Sequence, residues 1–458
     1  MPVELDNSQP LAWDSPELDA DTQAMLDNLQ PNILQPHVRD HLSVLLLHFD
    51  DGDEGKRFLR GLVPLMKSAR QHLEEVRAFR ESQAPGSVYV GVAISAAGYR
   101  ALGHDLRKFD DDRFQNGMKR AAILKDPPVA EWEAPYRQEV HAIVLIGDSV
   151  AETVAETRAK VLELLPASAT LLGEETGLGM RNPAGKGIEH FGYVDGRSQP
   201  LFLADQVAEE RGVNWNPFFP LKHALRDDPL APDPNRHFGS YLVFRKLEQN
   251  VRAFHQAEEE LADRLGLTGD DRARAGAMLV GRFRNGTPLR MHGKPSSDGW
   301  PTQNDFNHAN DPGTKCPIFS HTRKMSPRDS RDGGLERTLG VAMPRRGQTY
   351  GTRTDNPWDD APPETRPTGG VGLLFMAFNG ALTQFETAQF WANEAAFPQD
   401  GVGLDPLIGQ GERTLPVRFP ESWGGTKLTS PQKQIPQTVT MKGGEYFFAP
   451  SLAYLKSL

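Results

Sequence analysis

The chain has 458 residues, with 51 basic and 61 acidic side chains and a formal net charge of -10. This balance argues against a nucleic-acid-binding protein and against adhesion to an anionic membrane. No apolar run reaches the roughly 18 residues that a membrane span needs, and the N-terminus shows no basic or apolar region of a secretory signal. We therefore expect a cytoplasmic protein. The single cysteine, Cys316, excludes an intramolecular disulfide and is expected to be a small buried side chain.

The first half of the chain alternates between apolar strands and amphipathic helices. Residues 1–30 are polar and predict an extended arm. The patterns then predict strands at 43–49, 88–94, 139–146 and 169–172, with helices at 56–82, 96–102 and 149–165. Ser95 is the expected N-cap of the short middle helix. This βαββαβ order is typical of a ferredoxin-like domain, which we place at residues 31–200.

The second half, residues 201–458, repeats the layout in part, without a visible repeat of identity. Strands are predicted at 239–245 and 370–378, and helices at 249–265 and 383–393. Proline- and glycine-rich loops lie at 213–236, 285–318 and 344–370, and long ordered loops tend to carry function. The sequence therefore predicts an α+β protein with two ferredoxin-like domains, antiparallel sheets and long insertions.

One histidine, His321, lies on a short segment bounded by Pro317 and Pro327, which predicts a helical turn. Basic side chains follow it at Arg323 and at two further positions. In isolation this pattern is most often a solvated turn. It also fits a haem site, where an imidazole binds iron and cations bind the propionates.

Three further segments could carry chemistry. In the first, Asp195 is followed by Gly196 in a Gly-x-x-Asp-Gly pattern, which alone is most often an ordinary turn. The second contains Arg345 within a Met-Pro-Arg-Arg-Gly run that could equally be a solvated loop. In the third, alternation places Leu373 and Phe375 on one face of a strand, where they could line a cofactor or simply fill a core.

Together these segments resemble the dye-decolorising (DyP-type) haem peroxidases, a family with two ferredoxin-like domains. The resemblance extends from about residue 30 to the C-terminus and follows the family's order. The matching segments are Phe-Gly-Tyr-Val-Asp-Gly at 191–196, Gly-Ser-Tyr-Leu-Val-Phe-Arg at 239–245, Gly-Arg-Phe-Arg-Asn-Gly-Thr-Pro at 281–288, Cys-Pro-Ile-Phe-Ser-His-Thr-Arg-Lys at 316–324, Met-Pro-Arg-Arg-Gly at 343–347, Gly-Leu-Leu-Phe at 372–375, Gln-Phe-Glu at 384–386 and Gly-Leu-Asp-Pro-Leu-Ile-Gly-Gln at 403–410.

The resemblance implies one haem b per chain, bound in the C-terminal half, with His321 as the proximal iron ligand. It implies Asp195 as the distal acid–base residue and Arg345 as the distal arginine. Leu373 and Phe375 would face the distal side of the haem. These residues would support reduction of hydrogen peroxide through a high-valent iron centre.

Other assignments are less direct. Gly196 would let the backbone approach the haem, and Arg323 is a candidate for binding a propionate. Glu386 is a candidate acceptor for the His321 Nδ1 proton. Arg197 departs from the family pattern, because aliphatic residues are common after the second glycine, and it could alter the pocket mouth.

The expected reducing substrates are dyes, phenolics or similar aromatic donors, and the expected pH optimum is acidic. Because Leu373 and Phe375 would wall off the haem, bulky donors would need a surface aromatic relay or a site at the propionate edge. Trp391, Trp358 and Tyr350 are relay candidates by their chemistry, although each could be a packing residue. The alternative function is a non-catalytic haem-binding or haem-handling protein.

Overall fold

A computed structural model describes residues 3–210, 212–213, 215–296, 303–328, 334–359, 361–399 and 401–458. Within these residues, eight strands form one closed antiparallel barrel. The strands are β1 His41–Phe49, β2 Tyr89–Ser95, β3 Ala142–Asp148, β4 Ala169–Leu178, β5 Phe238–Gln249, β6 Gln348–Tyr350, β7 Gly372–Asn379 and β8 Val439–Ala449. Shorter pieces pair Met180–Arg181 with Gly187–Ile188, and Arg226–Asp227 with β5.

The barrel consists of two ferredoxin-like halves that share their sheet edges. The first half has the strand order β4-β1-β3-β2, and the second has the equivalent order β8-β5-β7-β6. The halves join where β4 pairs with β6 and where β2 pairs with β8. This closure leaves no main sheet edge open. The predicted α+β class and the two ferredoxin-like units are confirmed.

The helices pack around this barrel, and most predicted ones are present with ends shifted by a few residues. Pro64 lies where the first long helix ends and a short 3-10 turn, Val63–Leu65, begins. Ser95 Oγ accepts the Gly98 N–H at 3.0 Å, as expected for an N-cap. The helices are α1 Ala20–Asn28, α2 Gly52–Leu62, α3 Ala69–Ser82, α4 Ala96–Ala101, α5 Asp112–Asn116, α6 Ala134–Arg137, α7 Ala151–Glu163, α8 Ala204–Glu209, α9 Val251–Arg264, α10 Ala273–Val280, α11 His321–Met325, α12 Gly334–Gly340, α13 Thr383–Asn393 and α14 Leu452–Ser457.

The predicted extended arm is wrong for residues 20–28, which form α1. Asp19 caps this helix by accepting two backbone N–H groups, and Met25 and Leu26 are completely buried. Only two adjacent core residues lie within the helix, so its sequence shows little 3.6-residue periodicity. Tertiary packing, and not an amphipathic pattern, stabilises this helix.

The hydrophobic core crosses from one half of the barrel to the other. One cluster combines Leu45 and Val144 from the first half with Val243 and Phe447 from the second. A separate cluster is formed mainly by residues of the second half, and Phe191, beside the Gly-x-x-Asp-Gly turn, packs into it. No helix in the described ranges is long and apolar enough to cross a membrane. The cytoplasmic location and the domain limits at 30 and 200 stay predictions.

Candidate active site

His321 is the first residue of α11, and its ring is fixed by a buried carboxylate. His321 Nδ1 lies 2.9 Å from Asp405 Oδ2. The other oxygen of Asp405 accepts the Leu407 and Ile408 backbone N–H groups at 2.8 and 2.9 Å. Because the carboxylate can only accept, Nδ1 carries the proton and Nε2 presents its lone pair to the open side of the ring. That arrangement suits an imidazole that binds a metal through Nε2.

The two groups stabilise each other's charged form. Burial alone would lower the pKa of His321, but the charge and hydrogen bond of Asp405 raise it above its ordinary value. Burial alone would raise the pKa of Asp405, but the charge and hydrogen bond of His321 bring it below its ordinary value. An ionised carboxylate on Nδ1 makes the imidazole a stronger electron donor.

The prediction that Glu386 is the partner of His321 is wrong. Glu386 Oε2 accepts a hydrogen bond from Arg113 Nε at 2.8 Å, and its Oε1 accepts one from the Tyr446 hydroxyl at 3.0 Å. Helix α13 therefore turns this side chain towards α5 and β8. The acceptor of the His321 proton is Asp405, which lies in the Gly-Leu-Asp-Pro segment that contributed to the family resemblance.

Asp195 lies on a tight turn, and its charge acts on His321. Its backbone N–H donates to Gly187 O at 3.1 Å, and its Oδ1 accepts the Gly196 N–H at 2.6 Å. Gly196 has φ of +76°, and a Cβ on Gly192 (φ +87°) would lie 2.6 Å from Pro357 O. Both glycines are therefore required by the backbone. The side chain of Asp195 stays exposed at the surface of the site.

Arg345 is held in place by the segment that follows Asp195. Its Nη2 donates to Arg197 O at 3.1 Å, and its backbone N–H donates to Gln199 Oε1 at 2.9 Å. Burial lowers the pKa of Arg345, and the charge of Asp195 opposes that effect. The segment from Asp195 to Gln199 therefore carries the Asp195 carboxylate and also holds Arg345.

An apolar wall completes the site. Leu373 and Phe375 on β7 are half-buried. The residues that follow each of them, Leu374 and Met376, are buried. The alternation places Leu373 and Phe375 on one face of the strand, as predicted, and Phe375 packs against Phe385 with ring centroids 5.9 Å apart.

The predicted residues lie in one region of the molecule, close enough for their charges to interact. The charges of both Arg345 and Asp195 act on His321, and such effects weaken with distance. The His321 side chain also retains 30% exposure, although its Asp405 partner is fully buried. The structure therefore brings the predicted iron ligand, acid and guanidinium together.

A buried cationic cluster adjoins this region. Arg282 and Arg328 share the Asn304 and Ser198 side chains as hydrogen-bond acceptors, at 2.7–3.2 Å. Among the described residues, none of the acceptors that hold these two guanidinium groups is a carboxylate. Burial lowers the pKa of Arg282 to about 9, with the charges of other arginines adding to the effect. Two buried cations in such surroundings favour a negatively charged ligand.

His308 adds a second indication of a missing partner. It is 2% exposed, and neither ring nitrogen has a hydrogen-bond partner among the described residues. Burial, followed by the charges of four arginines, lowers its pKa well below the ordinary value. Haem carries two propionates, an apolar ring and an iron. The cationic cluster, the Leu373–Phe375 wall and His321 Nε2 provide complementary groups for all three.

Arg323 is bonded within the loop before α11, and its predicted contact with a propionate stays a prediction. Its Nη1 donates to Cys316 O at 2.5 Å and to Asp311 Oδ2 at 3.2 Å, and its Nη2 donates to Asp311 O at 2.5 Å. These bonds hold the loop that leads into α11. The sequence did not single out Arg282 or His308 as site residues, although Arg282 lies in a matched segment. Cys316 is buried, as predicted.

A cavity of about 210 Å³ opens beside the Asp195 turn. Its lining includes Gly196, Arg197, Gln199, Glu210 and Asn304. Arg197 Nη1 pairs with Glu210 Oε1 at 2.5 Å. The effect of Arg197 on the pocket mouth stays a prediction.

Comparison with known proteins identifies the family and the fold. The model of the DyP dimeric alpha+beta barrel domain matches residues 28–177. Over the full length of both proteins, the chain is 54% identical to the multifunctional dye peroxidase DyP2 of Amycolatopsis sp.. The chain belongs to the DyP-type peroxidase family. It is a haem peroxidase, so the non-catalytic alternative is not favoured.

Solved structures of relatives agree with this assignment. The crystal structure of Amycolatopsis DyP2 has a TM-score of 0.94 at 51% identity, covering 99% of this chain and 100% of that one. The Anabaena DyP-type peroxidase AnaPX has a TM-score of 0.90 at 34% identity and 99% coverage of both chains. A dye-decolorising peroxidase in complex with 2,6-dimethoxyphenol has a TM-score of 0.76 at 25% identity, covering 94% and 98%.

The three aromatic residues considered as a surface relay differ in exposure. Tyr350 is 7% exposed and Trp391 is 6% exposed, with Trp391 stacked on Phe397 at 4.6 Å. Trp358 is half-buried, and the Cζ atom of the Arg284 guanidinium lies 5.3 Å from the centroid of its ring. Packing accounts for the first two, and the relay role stays a prediction for all three.

Proposed function

We propose that His321 is the proximal haem ligand of this peroxidase, and that Asp195 and Arg345 together activate hydrogen peroxide. The observation that supports this proposal is the His321–Asp405 pair, on which the charges of Asp195 and Arg345 both act. Leu373 and Phe375 would pack against the ring, and Arg282, Arg328 and His308 would receive the propionates. Bound haem would supply a redox-active iron. Hydrogen peroxide would oxidise the haem, and electrons from the reductant would reduce it again.

Asp195 carries out the proton transfer in this proposal. Its exposed carboxylate accepts a proton from one oxygen of hydrogen peroxide and delivers it to the other, which leaves as water. Arg345 stabilises the negative charge that develops on the departing oxygen, and its position is fixed before the reaction by Arg197 O and Gln199. The Leu373–Phe375 wall restricts water at the ring face, which strengthens both electrostatic effects.

The reducing substrates are proposed to be aromatic donors such as dyes and phenolics. The names of the relatives support this class, and one relative has been solved with 2,6-dimethoxyphenol. Small phenols would fit the cavity next to Gly196, whereas larger dyes would have to donate electrons from the protein surface. Carboxylates stay ionised at lower pH than the other basic side chains, so a carboxylate proton acceptor should let the peroxide reaction proceed at acidic to mildly acidic pH.

The proposal is tested by mixing haem-loaded protein with one equivalent of hydrogen peroxide and following the Soret band. Asp195→Asn removes the proton acceptor and should slow the spectral change by roughly 10²- to 10⁴-fold. Asp205→Asn serves as a control, because Asp205 is a half-buried carboxylate on α8 that pairs with Arg80 outside the site. A wild-type rate in Asp195→Asn would exclude the proposed proton transfer.

A further inference from the structure

The turn that carries Asp195 is built around a second acidic residue, Glu189. The Glu189 carboxylate accepts the Phe191 N–H at 2.8 Å and the Tyr193 N–H at 3.0 Å. Its backbone completes the same turn, since Glu189 O accepts the Gly192 N–H at 2.8 Å and Glu189 N–H donates to Tyr193 O at 3.1 Å. One side chain therefore fixes the backbone immediately before the proposed proton acceptor.

Glu189 also attaches this turn to the barrel. Its Oε2 lies 2.5 Å from the side-chain nitrogen of Gln249, the last residue of β5. Gln249 is 5% exposed, and its own Oε1 has no partner within the described ranges. The two ends of an amide can exchange places without changing its shape. Gln249 can therefore offer Glu189 either an N–H donor or a carbonyl acceptor.

The surroundings of Glu189 disfavour a negative charge. Within the described part of the chain, every hydrogen-bond partner of the Glu189 carboxylate is a neutral group. Burial raises the pKa of Glu189 to about 7, and the charge of Asp195 acts in the same direction. Two further ionisable groups lie on the turn before Asp195. Burial lowers the pKa of His190 to about 4, and Tyr193 faces Arg284 and Glu258. A neutral Glu189 needs an acceptor for its O–H, and the Gln249 carbonyl is available.

We propose that Glu189 is a positioning residue for Asp195 that works as a neutral carboxylic acid, bonded to Gln249. In this form it accepts the two turn N–H groups, donates to β5 and places no second negative charge beside Asp195. When Glu189 ionises, the O–H donor is lost and two carboxylates repel each other across the turn. The proposal rests on the assignment of Asp195 as the proton acceptor.

The first test compares two substitutions by the rate of the Soret change with peroxide. Glu189→Ala removes both acceptors of the turn and should slow the reaction by about 10- to 100-fold, because small displacements of a reacting group are costly. Glu189→Gln mimics the neutral acid, with an N–H₂ donor towards Gln249 and one carbonyl acceptor. It should restore the rate at pH 5 to within about threefold of wild type.

The pH profile separates positioning from general stabilisation. The wild-type rate should decline as pH rises through about 7, where Glu189 ionises, and Glu189→Gln should lack that decline. Glu445→Gln is the matched control, because Glu445, like Glu189, is a half-buried carboxyl with a raised pKa that accepts two backbone N–H groups, from Met118 and Tyr446. It should keep the wild-type profile. An unchanged decline in Glu189→Gln would overturn the proposal.

A double-mutant cycle shows whether Glu189 acts through Asp195. In the Asp195→Asn background, Glu189→Ala should cost little further rate, since the group being positioned is absent. Full additivity of the two effects would overturn the positioning role. If Asp195→Asn itself reacted at the wild-type rate, the proposed function would fail independently of Glu189. Retained Soret and circular dichroism spectra exclude misfolding as the cause in each variant.

Discussion

The two sides of the candidate haem site are constructed differently. On the proximal side, His321 is held by the fully buried Asp405, which is itself fixed by two backbone N–H groups. On the distal side, Asp195 is exposed and bonds to the N–H of its own neighbour, while Arg345 is held mainly by Arg197 O and the Gln199 side chain. The groups proposed for the proximal side are paired with each other, whereas Asp195 keeps an exposed side chain and has no such partner role with Arg345.

This difference follows from what each side has to do. A metal ligand must keep one orientation and one protonation state, and a buried ion pair with satisfied hydrogen bonds provides both. A proton-transferring group must gain and lose a proton during turnover, so it needs an open side. We expect substitutions on the proximal side to change haem binding and electronic properties, and those on the distal side to change the peroxide reaction alone.

The largest effect is expected for His321→Ala. Loss of the imidazole removes the proposed iron ligand, so the variant should lose haem or bind it with a clearly shifted Soret band. The measurement is the ratio of Soret to protein absorbance after purification with added haem. Unchanged Soret absorption together with unchanged activity would exclude His321 as the ligand.

Arg345→Leu should separate the two sides most clearly. Haem retention should match wild type, because the proximal pair is intact. The reaction with peroxide should slow by roughly 10²- to 10³-fold, equivalent to about 3–4 kcal/mol of lost charge stabilisation. Rapid-mixing kinetics measure the rate. The neighbouring Arg346 is not a suitable control position, because its guanidinium holds the backbone through hydrogen bonds to Asn32 O and Ile33 O. A wild-type rate would contradict the assignment of Arg345.

Asp405→Asn should affect the proximal side while leaving the distal groups in place. A neutral amide on Nδ1 makes the imidazole a weaker donor, so the iron reduction potential should rise, and haem affinity or activity should fall by about 10- to 100-fold. Spectroelectrochemical titration of the haem-loaded protein measures the potential. A potential equal to that of wild type would show that the His321–Asp405 bond does not tune the iron.

Glu386→Gln should have the smallest effect. Its carboxylate pairs with Arg113 and Tyr446 and makes no hydrogen bond to His321. We expect peroxide rates within about twofold of wild type and an unchanged reduction potential, with at most a modest loss of thermal stability. A potential shift as large as that of Asp405→Asn would restore Glu386 as the proximal partner and contradict the structure.

Local patterns predicted the elements whose residues alternate clearly or carry caps. The strand near Val44 and the helix that follows Ser95 were predicted, since their apolar periodicity and cap are encoded within a few residues. Strand β8 was missed because Gly443 and Gly444 interrupt it. The structure uses these glycines at a register shift, where a Cβ on Gly443 would lie 2.2 Å from the Tyr136 ring.

The sequence by itself determined the ferredoxin-like order, the apolar pair on β7 and the ordered motifs that place His321, Asp195 and Arg345 in a peroxidase family. Only the tertiary structure decided that the two halves close into one barrel, because closure depends on pairing between strands far apart in the chain. The tertiary structure also showed that Asp405, and not Glu386, accepts the His321 proton. Asp405 lies 84 residues from His321 in the chain, and in the sequence the two acids have the same charge, so only the folded backbone distinguishes them.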